Sequence, residues 1–201
     1  MTPPTFLPLA DDPAPERRDA ARNRDAVLHA ALRLVGERGV CGTTMDDVAE
    51  AAGVGKATVF RRYESRAGLM GAVLNHAEAE WQGAVMGGPP PLGPGAPPLE
   101  RLLAFGRSRM ELTLAHAELI AAAGGAQARN YAAYSFIAMH VRHLLTELRV
   151  SGDLPLLASA LLAPLEVVVL RQQVEVEHLA VDRIAAAWED VVRRVVAGRT
   201  T

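Results

Sequence analysis

The sequence contains few of the residues that mark disulfide-rich, zinc-binding or β-rich proteins. It has one cysteine, Cys41, so it can form no internal disulfide and offers no cysteine pair to zinc. Aromatic residues make up only 4% of the chain, and Ala and Leu outnumber the β-branched residues along most of it, which favours helix over strand. The composition therefore predicts an all-α protein.

Long apolar runs and a secretion signal are also missing. No stretch of about 18 uncharged apolar residues occurs, and the N-terminal residues MTPPTFLPLADDPAPERRD lack a basic region followed by an apolar core. We therefore expect a cytoplasmic protein that does not use a membrane as a partner. Five prolines fall within residues 1–16, so residues 1–19 are expected to form a disordered tail.

The charge of the chain is nearly balanced, and only its local distribution is informative. The formal net charge is −2, which by itself does not indicate a nucleic-acid partner. Residues 53–66, however, contain four cations and one acidic residue, Glu64. The cations are Lys56, Arg61, Arg62 and Arg66.

Helical periodicity and helix-ending residues divide the chain into five parts. An apolar stripe ends at Gly39, short helices are predicted after Thr44 and from Lys56 to Tyr63, and a longer helix carries Leu69 to Trp81. A single long helix, bent at Pro164, is predicted from Leu154 to about His178. The predicted parts are the tail 1–19, a DNA-binding domain 20–66 with its motif at 44–63, a connecting helix 67–86, a Pro/Gly-rich loop 87–98 and a helical effector-binding and dimerisation domain 99–198.

Residues 44–63, TMDDVAEAAGVGKATVFRRY, have the layout of a helix-turn-helix. A short helix, a tight turn at Gly53 to Gly55 and a second helix rich in cations follow one another at the right spacing. Val48 and Ala52 can pack against Val59, which leaves polar and basic side chains of the second helix free for phosphates and base edges. The alternative is an ordinary helical hairpin with a solvated basic face.

This segment resembles the tetracycline-repressor (TetR) family over about residues 20–81. The matching positions are Thr44, Val48, Ala49, Ala52, Gly53, Val54, Thr58, Phe60 and Tyr63, continued by Ser65, Arg66 and Leu69. The resemblance implies a homodimer with an N-terminal three-helix DNA-binding domain and a C-terminal ligand and dimerisation domain. Gly55 stands where the family often has Ser, and Arg66 stands where it often has a phosphate-binding Lys.

The chemistry and the resemblance together assign roles on double-stranded operator DNA. Contacts with the phosphate backbone are expected from Thr44, Lys56, Phe60, Tyr63 and Arg66. The residues expected closest to the bases are Ala57, Thr58, Arg61 and Arg62. Gly55, just before the second helix, is a further DNA-binding candidate. Partial burial remains an alternative for Phe60, and for Tyr63 packing and phosphate contact are equally supported.

Two patterns in the sequence resemble enzyme motifs but are incomplete. GVGKAT at residues 53–58 resembles the end of a phosphate-binding loop, but Glu50 and Ala57 occupy the positions that need Gly and Ser or Thr. Glu175 and His178 have the Glu-x-x-His spacing of di-iron bundles, which require two such pairs. We therefore expect no catalytic residues, metal or cofactor, although a helical-bundle metalloenzyme or a ligand-binding protein without DNA function remains the alternative.

The C-terminal helices suggest an effector pocket and a dimer interface. Apolar side chains with polar tips are the candidates for a small-molecule pocket: Trp81, Arg107, Met110, His116, Tyr131, Tyr134, His140 and Gln172. Broad apolar stripes on the last two predicted helices are the candidates for the interface: Leu157, Leu161, Leu165, Val168, Ile184, Trp188, Val191 and Val195. The sequence thus predicts a dimeric repressor that binds a palindromic operator and is released by an effector.

Overall fold

The computed structural model describes residues 15–124 and 131–198. Every regular element in these two ranges is a helix or a helical turn, so the all-α prediction is confirmed. The chain divides into two compact units, residues 1–66 and 67–201.

The N-terminal unit consists of three helices: α1 (Pro15–Arg38), α2 (Met45–Ala51) and α3 (Lys56–Tyr63). Proline suits the first turn of α1 because its missing N–H would have no partner there. Residues 15–19 are therefore helical and do not belong to the expected disordered tail, whose remaining residues lie outside the described ranges. The unit's core is apolar and includes the buried side chains Val27, Leu28, Ala31, Leu34, Val48, Ala49 and Val59.

The C-terminal unit contains the rest of the helices. They are α4 (Arg66–Gly87, whose first residue belongs to the N-terminal unit), α5 (Pro98–Ala115), α6 (Ala117–Ala122), α7 (Tyr131–Glu147), α8 (Leu154–Leu162), α9 (Val167–Arg171) and α10 (Val181–Ala197). Turns and bends connect α4 to α5 over residues 88–97. Helix α5 packs against α7, α9 and α10, and α7 packs against α8.

The structure breaks the long helix that was predicted from Leu154 to His178. Asp153 caps its start by accepting a hydrogen bond from the Leu156 N–H at 3.1 Å. The α-helix then gives way to a 3₁₀ turn containing Pro164, because proline lacks a backbone donor and crowds the preceding turn. Glu166 is extended (φ −73°, ψ 142°), and a π-helical turn, Gln172–Val176, follows α9. The expected bend is thus a series of short helical pieces.

Trp188 of α10 connects three helices at the centre of the C-terminal unit. Its indole Nε1 donates a hydrogen bond of 2.7 Å to the Leu161 carbonyl of α8. Its ring lies so close to Gly106 of α5 that a Cβ at this position would overlap the ring atoms. The indole N–H is satisfied inside the core, and glycine is the residue that lets α5 and α10 approach.

This arrangement changes the role of half of the expected dimer-interface residues. Leu161, Leu165, Ile184 and Trp188 are buried, with 2–6% of their surface exposed within the single chain. Their side chains fill the protomer's own core, because α10 packs on α5 and α8, and the 3₁₀ turn with Leu165 packs on α5, through the same faces that the sequence assigned to a partner. The expected interface set is corrected accordingly: Leu157 and Val195 also pack against this core, whereas Val168 and Val191 are 70% and 49% exposed.

A buried ion pair links α4 to α5 within the C-terminal unit. Arg109 donates from Nη1 to both carboxylate oxygens of Glu78, at 2.6 and 2.7 Å, and only 3% of Arg109 is exposed. Its guanidinium also lies 5.2 Å from the centre of the Trp81 ring, within cation–π range. Removing either charge would leave the other buried without a partner, so the pair holds the two helices in one register.

His140 of α7 is buried among aromatic rings of the same unit. Its ring centre lies 5.1 Å from that of Phe105 and 6.2 Å from that of Phe136. Burial, assisted by the charges of Arg101 and His143, lowers the pKa of His140 to about 4. The imidazole is therefore neutral in the folded protein at neutral pH.

The close approach of Trp188 to Gly106 predicts a strong effect of one methyl group. We expect Gly106→Ala to destabilise the protein by about 1–3 kcal/mol, because overpacking outweighs the better helix propensity of alanine. Urea unfolding of the two proteins measures the difference. Gly83→Ala in α4 is the matched control: nothing lies within 4 Å of its added Cβ, and it should be neutral or slightly stabilising. Equal midpoints for the two variants would contradict the packing described here.

The buried His140 predicts a pH dependence of stability. Its folded-state pKa of about 4 lies below the ordinary value of 6.5, so the unfolded chain binds more protons between these values and stability falls as the pH drops from 6.5 to 4. We expect His140→Phe, which keeps an aromatic ring, to remove this part of the pH dependence. Urea midpoints at pH 7 and pH 5 test it, and an unchanged pH difference in the variant would show that His140 is not the responsible group.

Candidate nucleic-acid interface

The start of α2 is fixed by a reciprocal pair of hydrogen bonds. Thr44 Oγ1 accepts from the Asp47 N–H at 3.1 Å, and Asp47 Oδ2 accepts from the Thr44 N–H at 3.0 Å. The threonine hydroxyl also donates to Asp47 Oδ2 at 2.6 Å, and these bonds to Thr44 hold the pKa of the Asp47 carboxyl below its usual value. The predicted capping role of Thr44 is therefore confirmed.

The turn between α2 and α3 depends on one glycine with a left-handed backbone. Gly53 has φ 66°, a conformation that side-chain-bearing residues rarely adopt, and the Val54 N–H then closes the turn on the Ala49 carbonyl at 3.0 Å. Gly55 follows as an extended N-cap of α3 without a side-chain hydrogen bond. The chain reverses within four residues and sets α3 across α2.

Two buried residues fix the orientation of α3. Val59 and Tyr63, one turn apart, are 1% and 9% exposed. The ring of Tyr63 packs in the unit's core, and burial raises the pKa of its hydroxyl, so the structure favours packing over phosphate contact for this residue. The helix leaves its other side to solvent, where the exposed residues are Lys56, Ala57, Thr58, Phe60, Arg61 and Arg62.

The cations on this exposed side differ in their present partners. Lys56 Nζ lies 2.7 Å from Asp46 Oδ2 of α2, a hydrogen bond that raises the pKa of the lysine. Both side chains are well exposed, and such pairs contribute little to stability, so a phosphate can replace the carboxylate. Arg61 and Arg62 make no salt bridge with any residue that the structure describes.

Arg66 has a structural contact in addition to its expected role at the phosphate backbone. Its Nε donates to the Thr43 carbonyl at 3.2 Å, and its Nη2 donates to the Val40 carbonyl. These carbonyls belong to the loop between α1 and α2, just before Thr44, the N-cap of α2. The first residue of α4 is thereby tied to the helix-turn-helix.

A groove between α1 and α3 adds two residues that sequence reasoning missed. It has a volume of about 580 Å³, and its walls include Asn23 and Arg24 of α1 beside Arg61 and Arg62 of α3. Asn23 and Arg24 lie one helical turn before the buried Val27. That spacing could have indicated a polar edge next to the core stripe.

The expected effector-site residues have different surroundings in the structure. Trp81 Nε1 donates to Ser108 Oγ at 3.1 Å and Arg107 pairs with Asp182 and Glu189 at 3.2 and 3.4 Å, so both have partners of their own. Met110 and His140 are buried, whereas Tyr134 is 38% exposed. His116 Nδ1 lies 2.9 Å from the Leu112 carbonyl, Gln172 lines a surface groove, and the side chain of Tyr131 lies outside the described residues.

Glu175 of the Glu-x-x-His pattern is an exposed residue that forms an ion pair with Arg171. Arg171 Nε binds Glu175 Oε1 at 2.7 Å on an exposed face, and this pairing lowers the pKa of the carboxyl. Glu175 belongs to the π-helical turn, and His178 beyond it has φ 55°. The two residues therefore do not share the face of a regular α-helix.

Comparison with known proteins shows what this helix-turn-helix is similar to. The sequence model described as "Bacterial regulatory proteins, tetR family" matches residues 27–73. The HTH-type transcriptional repressor Rv3405c of Mycobacterium tuberculosis is 38% identical over 68 residues, which cover 32% of this chain and 36% of the relative. The uncharacterized HTH-type regulator YvkB of Bacillus subtilis is 39% identical over 49 residues, 24% of this chain and 26% of the relative. The chain thus matches only about a third or less of these relatives' length.

Solved structures extend the likeness over nearly the whole chain. The multidrug binding protein EbrR, complexed with imidazole, is 26% identical with a TM-score of 0.62, and the match covers 97% of this chain and all of EbrR. A TetR-family regulator from Pectobacterium atrosepticum has a TM-score of 0.62 at 17% identity and covers 89% of this chain and 94% of its own, which shows the fold alone. The N-terminal segment is thus similar to the DNA-binding segment of TetR-family transcriptional regulators, and the fold of the chain is similar to that of solved TetR-family regulators.

Proposed function

We propose that the chain is a repressor that binds a palindromic operator as a homodimer and leaves it when a small molecule binds the C-terminal unit. The observation that carries the proposal is the exposed side of α3. A two-turn helix buries Val59 and Tyr63 and presents Thr58, Arg61 and Arg62 to solvent. This is the arrangement with which a recognition helix enters the major groove.

The exposed residues suit different parts of DNA. Arginines can donate two hydrogen bonds to guanine and threonine can contact thymine methyl groups or base edges, so Thr58, Arg61 and Arg62 are proposed to read bases. Lys56 is proposed to exchange Asp46 for a phosphate, and Phe60, which is 48% exposed, to pack against the sugar-phosphate backbone. Asn23 and Arg24 are placed to contact phosphates from the neighbouring helix.

The proposed homodimer rests on apolar surface that the single chain leaves uncovered. The segment Leu154–Val176 is long and apolar enough to cross a membrane, judged by length and composition only. Within the single chain, 33% of its most apolar window is buried, so the larger part of this window is not covered by the chain itself. Its interruptions and its buried side chains are those of a helix packed on one side of a protein core. The exposed apolar residues here and on α10 are Leu156, Val168, Val169, Val176, Val181 and Val191, and we propose that a second copy covers them.

We propose that α4, which connects the two units covalently, transmits effector binding to the DNA-binding helices and so releases the DNA. Helix α4 begins at Arg66, whose guanidinium is bound to the α1–α2 loop, and continues into the C-terminal unit, where Glu78 is paired with Arg109 of α5. A shift of α5 on ligand binding would therefore be transmitted to α4 without altering any DNA-contacting residue. Couplings of about 1–3 kcal/mol suffice to change affinity by about 5- to 150-fold, and operator DNA must weaken effector binding by the same factor.

The proposal predicts sequence-specific and salt-dependent DNA binding. Selection of genomic fragments by the purified protein should yield a palindromic site, and if the dimer neutralises about six phosphates, the slope of log affinity against log salt is about −5. Lys56→Gln should reduce the slope by removing a phosphate contact, whereas Arg62→Gln should also relax base preference. Arg142→Gln on α7 is the charge-matched control and should leave both unchanged. Equal enrichment of all fragments would reject the proposal.

The dimer proposal predicts which apolar residues matter for association. We expect Val168→Glu to convert the dimer into a monomer, because a charge would be buried at the subunit contact. Met139→Glu alters a residue on α7 that is also exposed, at 56%, and should leave the dimer intact. Sedimentation at micromolar concentration measures both variants. A native protein that is monomeric under these conditions would contradict the proposed dimer.

A further inference from the structure

A second cavity of the C-terminal unit contains none of the expected effector residues except Met110. It has a volume of about 310 Å³ and lies between α5, α8, the π-helical turn and α10. This volume is at the lower end of the range for small-molecule sites. Most of its wall is apolar and includes Met110, Leu161, Leu165, Leu179, Ile184 and Trp188.

One polar atom in this wall lacks a partner. Gln173 Oε1 is buried and accepts no hydrogen bond from any described residue. An unsatisfied buried acceptor is unfavourable, and native structures contain few of them. Two other polar side chains line the cavity: Trp188, whose Nε1 already donates to the Leu161 carbonyl, and Arg183, which is an exposed residue. Gln173 is therefore the inner group free to select a ligand.

The backbone geometry that places Gln173 here is unusual. The π-helical turn Gln172–Val176 has a wider turn than an α-helix, with the Glu177 N–H bonded to the Gln172 carbonyl at 3.0 Å. Its neighbouring glutamine, Gln172, lines a different groove on the surface. Single π-helical turns occur frequently at functional sites because they redirect one side chain.

We infer that this cavity binds a small apolar molecule that carries one hydroxyl or N–H donor, with the donor bonded to Gln173 Oε1. The aromatic wall of Trp188 and the surrounding aliphatic side chains favour a single ring with a short alkyl substituent. Val191 lies in the cavity wall and is also part of the apolar surface proposed for the dimer. A bound molecule thus lies beside the subunit contact and beside α5, and only this regulatory consequence rests on the proposed function.

Calorimetric titration of the full-length protein with 4-ethylphenol and with ethylbenzene tests the inference. The two probes share shape and differ in the hydroxyl donor, so the native protein should bind 4-ethylphenol about tenfold more tightly. Gln173→Leu keeps the side-chain volume, removes the acceptor and should abolish this preference. Gln82→Leu on α4 makes the same chemical change outside the cavity and should preserve it.

A second variant, which fills the cavity, distinguishes loss of ligand binding from loss of folding. Ala160→Phe, at an exposed position of the cavity rim, should weaken binding of both probes while the urea midpoint stays close to that of the native protein. Absence of binding to the native protein, or a tenfold preference that persists in Gln173→Leu, would overturn the inference.

Measuring DNA binding by the fluorescence anisotropy of labelled operator DNA separates this inference from the proposed function. Specific DNA binding without binding of 4-ethylphenol would retain the repressor and reject the cavity. Binding of 4-ethylphenol with the expected Gln173 dependence, but without specific DNA binding, would retain the cavity and reject the repressor. Binding of both, with release of DNA by 4-ethylphenol, would support the two together.

Discussion

The contact between the Trp188 ring and the backbone at Gly106 sets the spacing of the C-terminal unit. Since no side chain separates α5 from α10 at this point, the indole can reach across to the Leu161 carbonyl and hold α8 as well. The same ring forms one wall of the cavity that contains Gln173. Core packing, the uncovered apolar surface and the proposed ligand site therefore depend on a single close approach, and interiors packed at this density transmit small displacements.

The exposed side of α3, which we propose reads DNA, follows from a different constraint. Helix α3 has only two turns, so the burial of Val59 and Tyr63 decides which side of it is exposed. The capping box at Thr44 and the left-handed Gly53 fix where α2 begins and where the chain turns. Arg66 then uses backbone carbonyls of the α1–α2 loop to attach the start of α4. Specific contacts with DNA are thus presented by a framework that is itself satisfied without DNA.

The two units also differ in how they use charge. In the N-terminal unit, cations such as Lys56 form exposed pairs, here with Asp46, in which a phosphate can replace the carboxylate. In the C-terminal unit, Arg109 and Glu78 form a buried pair, and such pairs are strongly destabilising when broken. Exchangeable charges suit a surface that binds and releases DNA, and a buried pair suits a helix junction that must move as one body.

Local chemistry in the sequence determined the helices, their caps and the helix-turn-helix. Helical periodicity, the left-handed Gly53 and the capping box at Thr44 each act over a few neighbouring residues. It also determined that the C-terminal region is helical and apolar. It did not determine which apolar stripe faces the protomer's own core, since Leu161 and Val168 are equally hydrophobic and only the packing of α8, α9 and α10 within the C-terminal unit separates them. The position of Gln173 beside Trp188 and the contact of Arg66 with the α1–α2 loop likewise depend on residues far apart in the chain, which meet only in the tertiary structure.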